Sequence, residues 1–209
     1  VKEIGFSDEV LVHHPQLMKN GVVCPSEPFW NTYVHDKTHE LFTDFPLLGG
    51  LIVSLGSQES RASRVQNLCR CDLCRGESLQ QWYGRFIQVL HDSAAQHGKG
   101  LAIRDFAYKP VDHEPLVNAM RDADPAVVFC IKAMPHDFYI GFPDNPALGA
   151  TERTQWIEYD VMGQFFGWGV MPCLVLDDLA PRLQRWRDAG VQGVILRIEW
   201  ERINDLDAL

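Results

Sequence analysis

Apolar positions along the chain follow two spacings, one suited to helices and one to buried strands. From Ser26 and Pro28, which read as a helix start, Trp30, Tyr33, Val34, Leu41, Phe42 and Phe45 recur at mostly helical spacing, and Gly49-Gly50 closes the unit. Leu51-Ile52-Val53 then reads as a buried strand. After a polar loop, a helix carrying Leu79, Trp82, Phe86, Val89 and Leu90 runs to Gly98, and Leu101-Ala102-Ile103 is the next strand. A helix around Leu116 to Met120 leads to Val127-Val128-Phe129-Cys130-Ile131, a strand marked by its apolar and β-branched content. Trp156 to Asp160 alternates like a fourth strand. The last unit is a helix opened by Asp177 or Asp178, with Leu179, Leu183 and Trp186 on one face and Gly190 just past its end, followed by a strand from Gly193 to Ile198. The segment before about Val23 reads as irregular.

Short apolar strands alternating with helices predict parallel pairing through crossover helices. The result is either an open doubly wound sheet or a barrel. No phosphate-binding glycine fingerprint follows any strand, which favours the barrel. The expected fold class is therefore α/β, a TIM (β/α)₈ barrel in a single, partial catalytic domain over residues 1–209. A complete barrel usually needs roughly 250 residues, so five strands leave it three short. The expectation is that an upstream stretch of the same parent chain supplies the missing N-terminal strands.

Hydrophobic residues make up 46% of the 209 positions and charged residues 22%, enough apolar surface for a packed core. The formal charge is −9 and the pI about 5.3, with no stretch where Lys and Arg cluster. That argues against a nucleic-acid partner, which requires a basic stripe to neutralise phosphates. The apolar runs are far shorter than the roughly 20 residues a membrane helix needs, so no membrane partner is expected either. The compartment is left open.

The informative polar residues follow the strands, because a (β/α)₈ barrel builds its active site from strand C-terminal ends. They are Gln58, Glu59 and Arg61; Arg104 and Asp105; Lys132, His136 and Asp137; Glu158, Asp160 and Gln164; and Arg197, Glu199, Trp200 and Glu201. A ring mixing carboxylates, cations and aromatics suits sugar chemistry: aromatics stack on pyranose faces, carboxylates serve as acid and base, and cations bind an acidic sugar's carboxylate. Singly, each such residue is more often a salt-bridged surface group, and an aromatic at a strand end is more often a core plug. Repetition over five units is what points to a site.

Cys69, Cys71 and Cys74 stand in C-x-C-x-x-C spacing. Three thiols so placed can converge on one Zn²⁺ or an iron–sulfur centre, with His91, His97 or Cys24 as the fourth ligand; the alternative is an ordinary loop of reduced or partly paired cysteines. A metal here would be a structural zinc, and catalysis would require no cofactor. A thiol or metal module centred on this loop is the rival to a sugar enzyme.

From Pro25 to about Leu179 several short motifs, taken in order, resemble glycoside hydrolase family 67, the α-glucuronidases, or a divergent relative of it. Pro25-Ser26-Glu27-Pro28-Phe29-Trp30 is similar to the stretch opening the helix before the acid-bearing strand, and Gly49 to Val53 with Ser57-Gln58-Glu59 is similar to that strand and its acid. Arg104-Asp105-Phe106-Ala107-Tyr108 looks like the family's R-x-F-x-Y strand end. Lys132-Ala133-Met134-Pro135-His136-Asp137-Phe138 resembles K-x-G-P-x-D-F, and Glu158 to Trp168 is similar to E-F-Q-x-x-Q-E-Y-x-G-Q. The resemblance implies that these are the fourth to eighth barrel strands.

It also implies an inverting hydrolase acting on a uronic-acid-bearing oligosaccharide or polysaccharide. Glu59 would be the acid, Asp137 a base, Arg104 and Lys132 the groups facing the uronic carboxylate, with Arg197 beside them, and Tyr108, Trp168 and Trp200 the sugar-contacting aromatics. Two features depart from the family. Its second base falls on Gln164, an amide that cannot take a proton, which moves the role to Asp160 or Glu158. An ungapped match also puts the acid on Gln58, and we take Glu59 because only a carboxyl can protonate a leaving oxygen. The cysteine loop is not a family feature. The alternative reading is a carbohydrate-binding barrel without activity.

Overall fold

The computed structural model describes residues 5–56, 60–65, 67–107, 110–165 and 175–198. The chain enters through a short helix α1 (Asp8–His13), a single 3₁₀ turn (Pro15–Leu17) and a two-stranded hairpin, β1 (Met18–Lys19) and β2 (Val22–Val23). The segment expected to be irregular therefore carries regular elements from Asp8 to Val23. Asn20 and Gly21 make the hairpin turn, both with positive φ (53° and 81°), the geometry that a two-residue connection needs to match strand twist.

Then come α2 (Phe29–Asp44), β3 (Gly50–Ser54), α3 (Asp72–Gly76), α4 (Leu79–Gln96), β4 (Gly100–Arg104), α5 (Pro110–Asp122), β5 (Val128–Lys132), β6 (Gln155–Asp160), α6 (Leu176–Asp188) and β7 (Gly193–Arg197). All five expected strands form, with ends shifted by a residue or so. Local chemistry sets the helix boundaries. Ser78 and Gln81 form a reciprocal capping box at the start of α4. At its end, Gly98 (φ 65°) and Lys99 donate to Ala95 O and Ala94 O; at the end of α6, Gly190 (φ 82°) and Val191 donate to Arg187 O and Trp186 O. Both are complete Schellman closures, which use glycine because the backbone turns left-handed there. Asp177 and Asp178 lie inside the first turn of α6, and neither is its cap; Val175 is.

The five long strands form one parallel sheet in chain order, β3-β4-β5-β6-β7. With right-handed crossovers, an order that never reverses keeps every connecting helix on the same face. A sheet so loaded curls away from its helices, and the result is a mixed α/β fold with a curled half-barrel sheet. Between β5 and β6 the connection, residues 133–154, contains no helix.

Side chains alternate across the sheet. Val53, Leu101, Ile103, Phe129, Ile131, Ile157 and Tyr159 point outward and are buried against Trp30, Trp82, Phe86, Leu90, Met120, Leu179 and Trp186 from the helices. The opposite, inner face carries Ser54, Arg104, Cys130, Lys132, Trp156, Glu158, Asp160 and Arg197. Gly193 pairs with Trp156, whose ring lies where a side chain on Gly193 would go: a Cβ would stand 2.7 Å from its Cδ1.

Candidate functional site

The inner face places charge at the C-terminal ends of four neighbouring strands. Arg104 ends β4, Lys132 ends β5, Glu158 and Asp160 stand on the last half of β6, and Arg197 ends β7 opposite Asp160. Glu158 is the hub. One of its oxygens takes the Arg104 Nε–H, and the other lies 3.5 Å from Arg197 Nε. Arg104 also reaches Ser54 Oγ, 3.4 Å away. Both Arg104 and Glu158 are buried, so their mutual charge is what makes their removal from water tolerable.

Asp160 accepts the Gln164 backbone N–H through Oδ2 (3.0 Å). Its Oδ1 has no hydrogen-bond partner among the described residues, and the closest cation to it, Arg197 Nη1, is 3.8 Å away. Burial pushes the Asp160 carboxyl up, against the opposing pull of the Gln164 N–H and of Arg197. Arg197 Nη1 donates to Gln164 Oε1 (2.8 Å), so the amide that stands in the family's base position orients an arginine. Lys132 is 1% exposed, and burial pulls its ammonium down, partly offset by Asp137 at 3.5 Å. Asp137 is the most open carboxylate of the group, with 30% of its side chain exposed.

Two residues that sequence reasoning quoted without assigning a role hold this cluster together. The Phe106 ring lies 4.7 Å from the Arg104 guanidinium and 4.5 Å from Lys132 Nζ, and the Phe138 ring lies 4.8 Å from Arg197 and 5.6 Å from Lys132. Such ring faces attract cations that have lost their water. Helix α6 steadies the long connection that carries Asp137 and Phe138: Arg182, 2% exposed, bonds Asp144 (2.6 Å), Phe142 O (2.6 Å) and Asp178 (2.7 Å).

Other expected ring members lie elsewhere. Asp105 faces the helices, fully buried, where it accepts from Asn145 Nδ2 (2.8 Å) and from the Ala107 N–H and stands 3.5 Å from His113. It is one residue from Arg104 and therefore on the other face. Arg61 turns to Asp8 at the surface (2.6 Å). His136 has φ 64°, a left-handed loop position. Gln58, Glu59, Tyr108, Trp168, Glu199, Trp200 and Glu201 lie outside the described residues.

A second cluster sits beside the hairpin. The sulfurs of Cys24, Cys69, Cys71 and Cys74 all lie within 4.8 Å of one another, and the group could hold a metal ion. Of the three candidates for fourth ligand, Cys24 is the one present: its Sγ is 3.4 Å from that of Cys71 and 3.5 Å from that of Cys74. His97 instead meets His39 (2.9 Å), and His91 lies 3.7 Å from Asp124. Cys24 follows β2, and Trp30 Nε1 holds its carbonyl (2.8 Å). Cys71 precedes α3, and Cys74 lies within it.

No family model matches the chain, and no curated protein matches it.

Proposed function

We propose that this chain is the catalytic-face half of an inverting glycoside hydrolase of the α-glucuronidase kind, acting on a uronic-acid-bearing oligosaccharide or polysaccharide of plant or microbial origin. The observation that carries this reading is the inner-face cluster, where Arg104, Lys132 and Arg197 meet Glu158, Asp160 and Asp137 at one end of the sheet. Three cations balance three carboxylates, an arrangement that can receive an acidic sugar and still keep a carboxylate for proton transfer.

In this reading Glu59 protonates the glycosidic oxygen and Asp137 activates the water, a division of labour that inversion assigns to carboxyl groups roughly 6.5–9.5 Å apart. Asp160 is the alternative base, favoured by a carboxyl that burial makes more basic and by an Oδ1 with no hydrogen-bond partner among the described residues. Glu158 orients arginines, since both its oxygens are engaged by them. Arg197, with 26% of its side chain exposed, is better placed than Arg104 to meet the uronic carboxylate. Tyr108, Trp168 and Trp200 supply stacking surfaces. The chemistry draws on no cofactor, and a zinc ion at the four thiols is structural. Further strands of the same parent chain pair with the outer edges of β3 and β7 to complete a TIM barrel.

The test is hydrolysis of a 4-O-methylglucuronosyl xylo-oligosaccharide by the full-length parent protein. Glu59→Gln and Asp137→Asn should each lower turnover by about 10²–10⁴-fold, the usual range for losing a general acid or base. An inactive parent would overturn the assignment. A second reading, a barrel that binds sugar without cleaving it, is favoured by the Gln164 amide held on Arg197; binding by calorimetry without product would support it.

A further inference from the structure

The cysteine-bearing part of the connection between β3 and α4, residues 67–76, packs away from the main core. Upstream of it Leu55, Ala62 and Val65 join the main core; within it α3 has five residues, and the buried side chains are those of Cys69 and Cys74. The apolar cluster beneath it consists of Cys24, Cys69 and Cys74 with Val22 and Cys71 against them. Four thiols and one valine bury too little hydrocarbon to offset the entropy of fixing such a segment, at about 1–2 kcal/mol per residue. Direct bonds to the hairpin are sparse, the main one running from Asn67 Nδ2 to Val23 O (3.1 Å).

We propose that one zinc ion, bound by Cys24, Cys69, Cys71 and Cys74, is the fastener that ties the β3–α4 connection to the β1–β2 hairpin. The inference rests on the structural-zinc reading above and adds the part of the fold that depends on the ion. Zn–S bonds near 2.3 Å in a tetrahedron separate the sulfurs by about 3.8 Å. The observed contacts of 3.4 and 3.5 Å, within a 4.8 Å limit for all four atoms, match a single ion. An iron–sulfur cluster interposes inorganic sulfide between its thiolates and spreads them further. Each thiol releases its proton to solvent as its bond to zinc forms, leaving four thiolates and one divalent ion with net charge −2. Two positive groups stand nearby: Lys19 in the hairpin, ion-paired with Glu27 (2.9 Å), and Arg70, which donates to Cys69 O (2.9 Å). The ion joins residues 47 apart in sequence, Cys24 and Cys71. Cys130 lies on β5 in the main sheet and takes no part.

The experiment has two readouts on the whole chain. Elemental analysis of protein purified without chelator should give one zinc per chain, kept in Cys130→Ser and lost in Cys24→Ser, and cobalt replacement should give the intense charge-transfer bands of a four-thiolate site. Limited trypsin digestion then compares loaded with chelator-stripped wild-type protein. Cleavage after Arg61, Arg64, Arg70 and Arg75 should accelerate at least tenfold on stripping and return to its original rate when zinc is restored, while Arg185 and Arg187 on α6 are cut at an unchanged rate. Absence of metal, iron in its place, or a Cys24–Cys71 disulfide overturns the zinc reading and this inference with it. Bound zinc with trypsin rates unaffected by stripping overturns the fastening role alone. A four-thiolate spectrum that persists in Cys24→Ser overturns Cys24 as a ligand.

Discussion

The outer and inner faces of the sheet differ by one residue in every strand and have opposite chemistry. Outward, Ile103, Phe129, Ile131, Ile157 and Tyr159 pack against helices; inward, Arg104, Lys132, Glu158 and Asp160 gather buried charge. The outer face supplies the stability and the inner face uses some of it, since buried charges are retained only where their pairing offsets lost hydration. That contrast can be attacked from either side.

The largest effect should come from the outer face. Trp186, 1% exposed and 5.8 Å from the Tyr159 ring, anchors α6 to β6, and Trp186→Ala should cost about 3–5 kcal/mol in denaturant unfolding. Gly193→Ala probes the inner face sterically. Its new methyl group meets the Trp156 indole, and the expected loss is about 1–3 kcal/mol.

Asp160→Asn separates the faces most sharply. Burial raises the folded-state pKa of Asp160 above its unfolded value, so wild-type stability from this group is greatest at low pH and declines as pH rises from the unfolded pKa through the folded one. The variant lacks that decline. Its stability relative to wild type should increase from acid to neutral pH, in thermal unfolding at matched ionic strength, and a pH-independent difference would place Asp160 outside the buried charge cluster. The smallest effect concerns reactivity. Burial pushes the inner-face Cys130 up to about 12. Burial acts in the same direction on Cys71, yet the Cys74 N–H and the neighbouring thiols bring it down to about 7. In stripped protein at neutral pH a thiol reagent should label Cys71 before Cys130, as read by mass spectrometry.

Much of the fold was legible because five apolar runs and their glycine stops are local signals, and Gly98 and Gly190 close helices as the pattern implies. The hairpin was missed although Asn20-Gly21 is a strong turn signal, because its strands are two residues long and show no periodicity. Asp105 was expected at the site beside Arg104, yet strand alternation already puts adjacent residues on opposite faces. Other features had no local signal. Phe106 and Phe138 acquire their role only when folding brings them to cations from β4, β5 and β7, and Cys24 stands far upstream of the motif it completes.

Strand order has a consequence for how the molecule comes into being. Each strand of the long sheet pairs with its immediate predecessor in sequence, and the thiol cluster closes within the first 74 residues. Within the long sheet no strand waits for a partner other than its neighbours in sequence. A chain so wired can lay down its sheet one βα unit at a time as it leaves the ribosome, each new strand docking on the edge of the one made just before it.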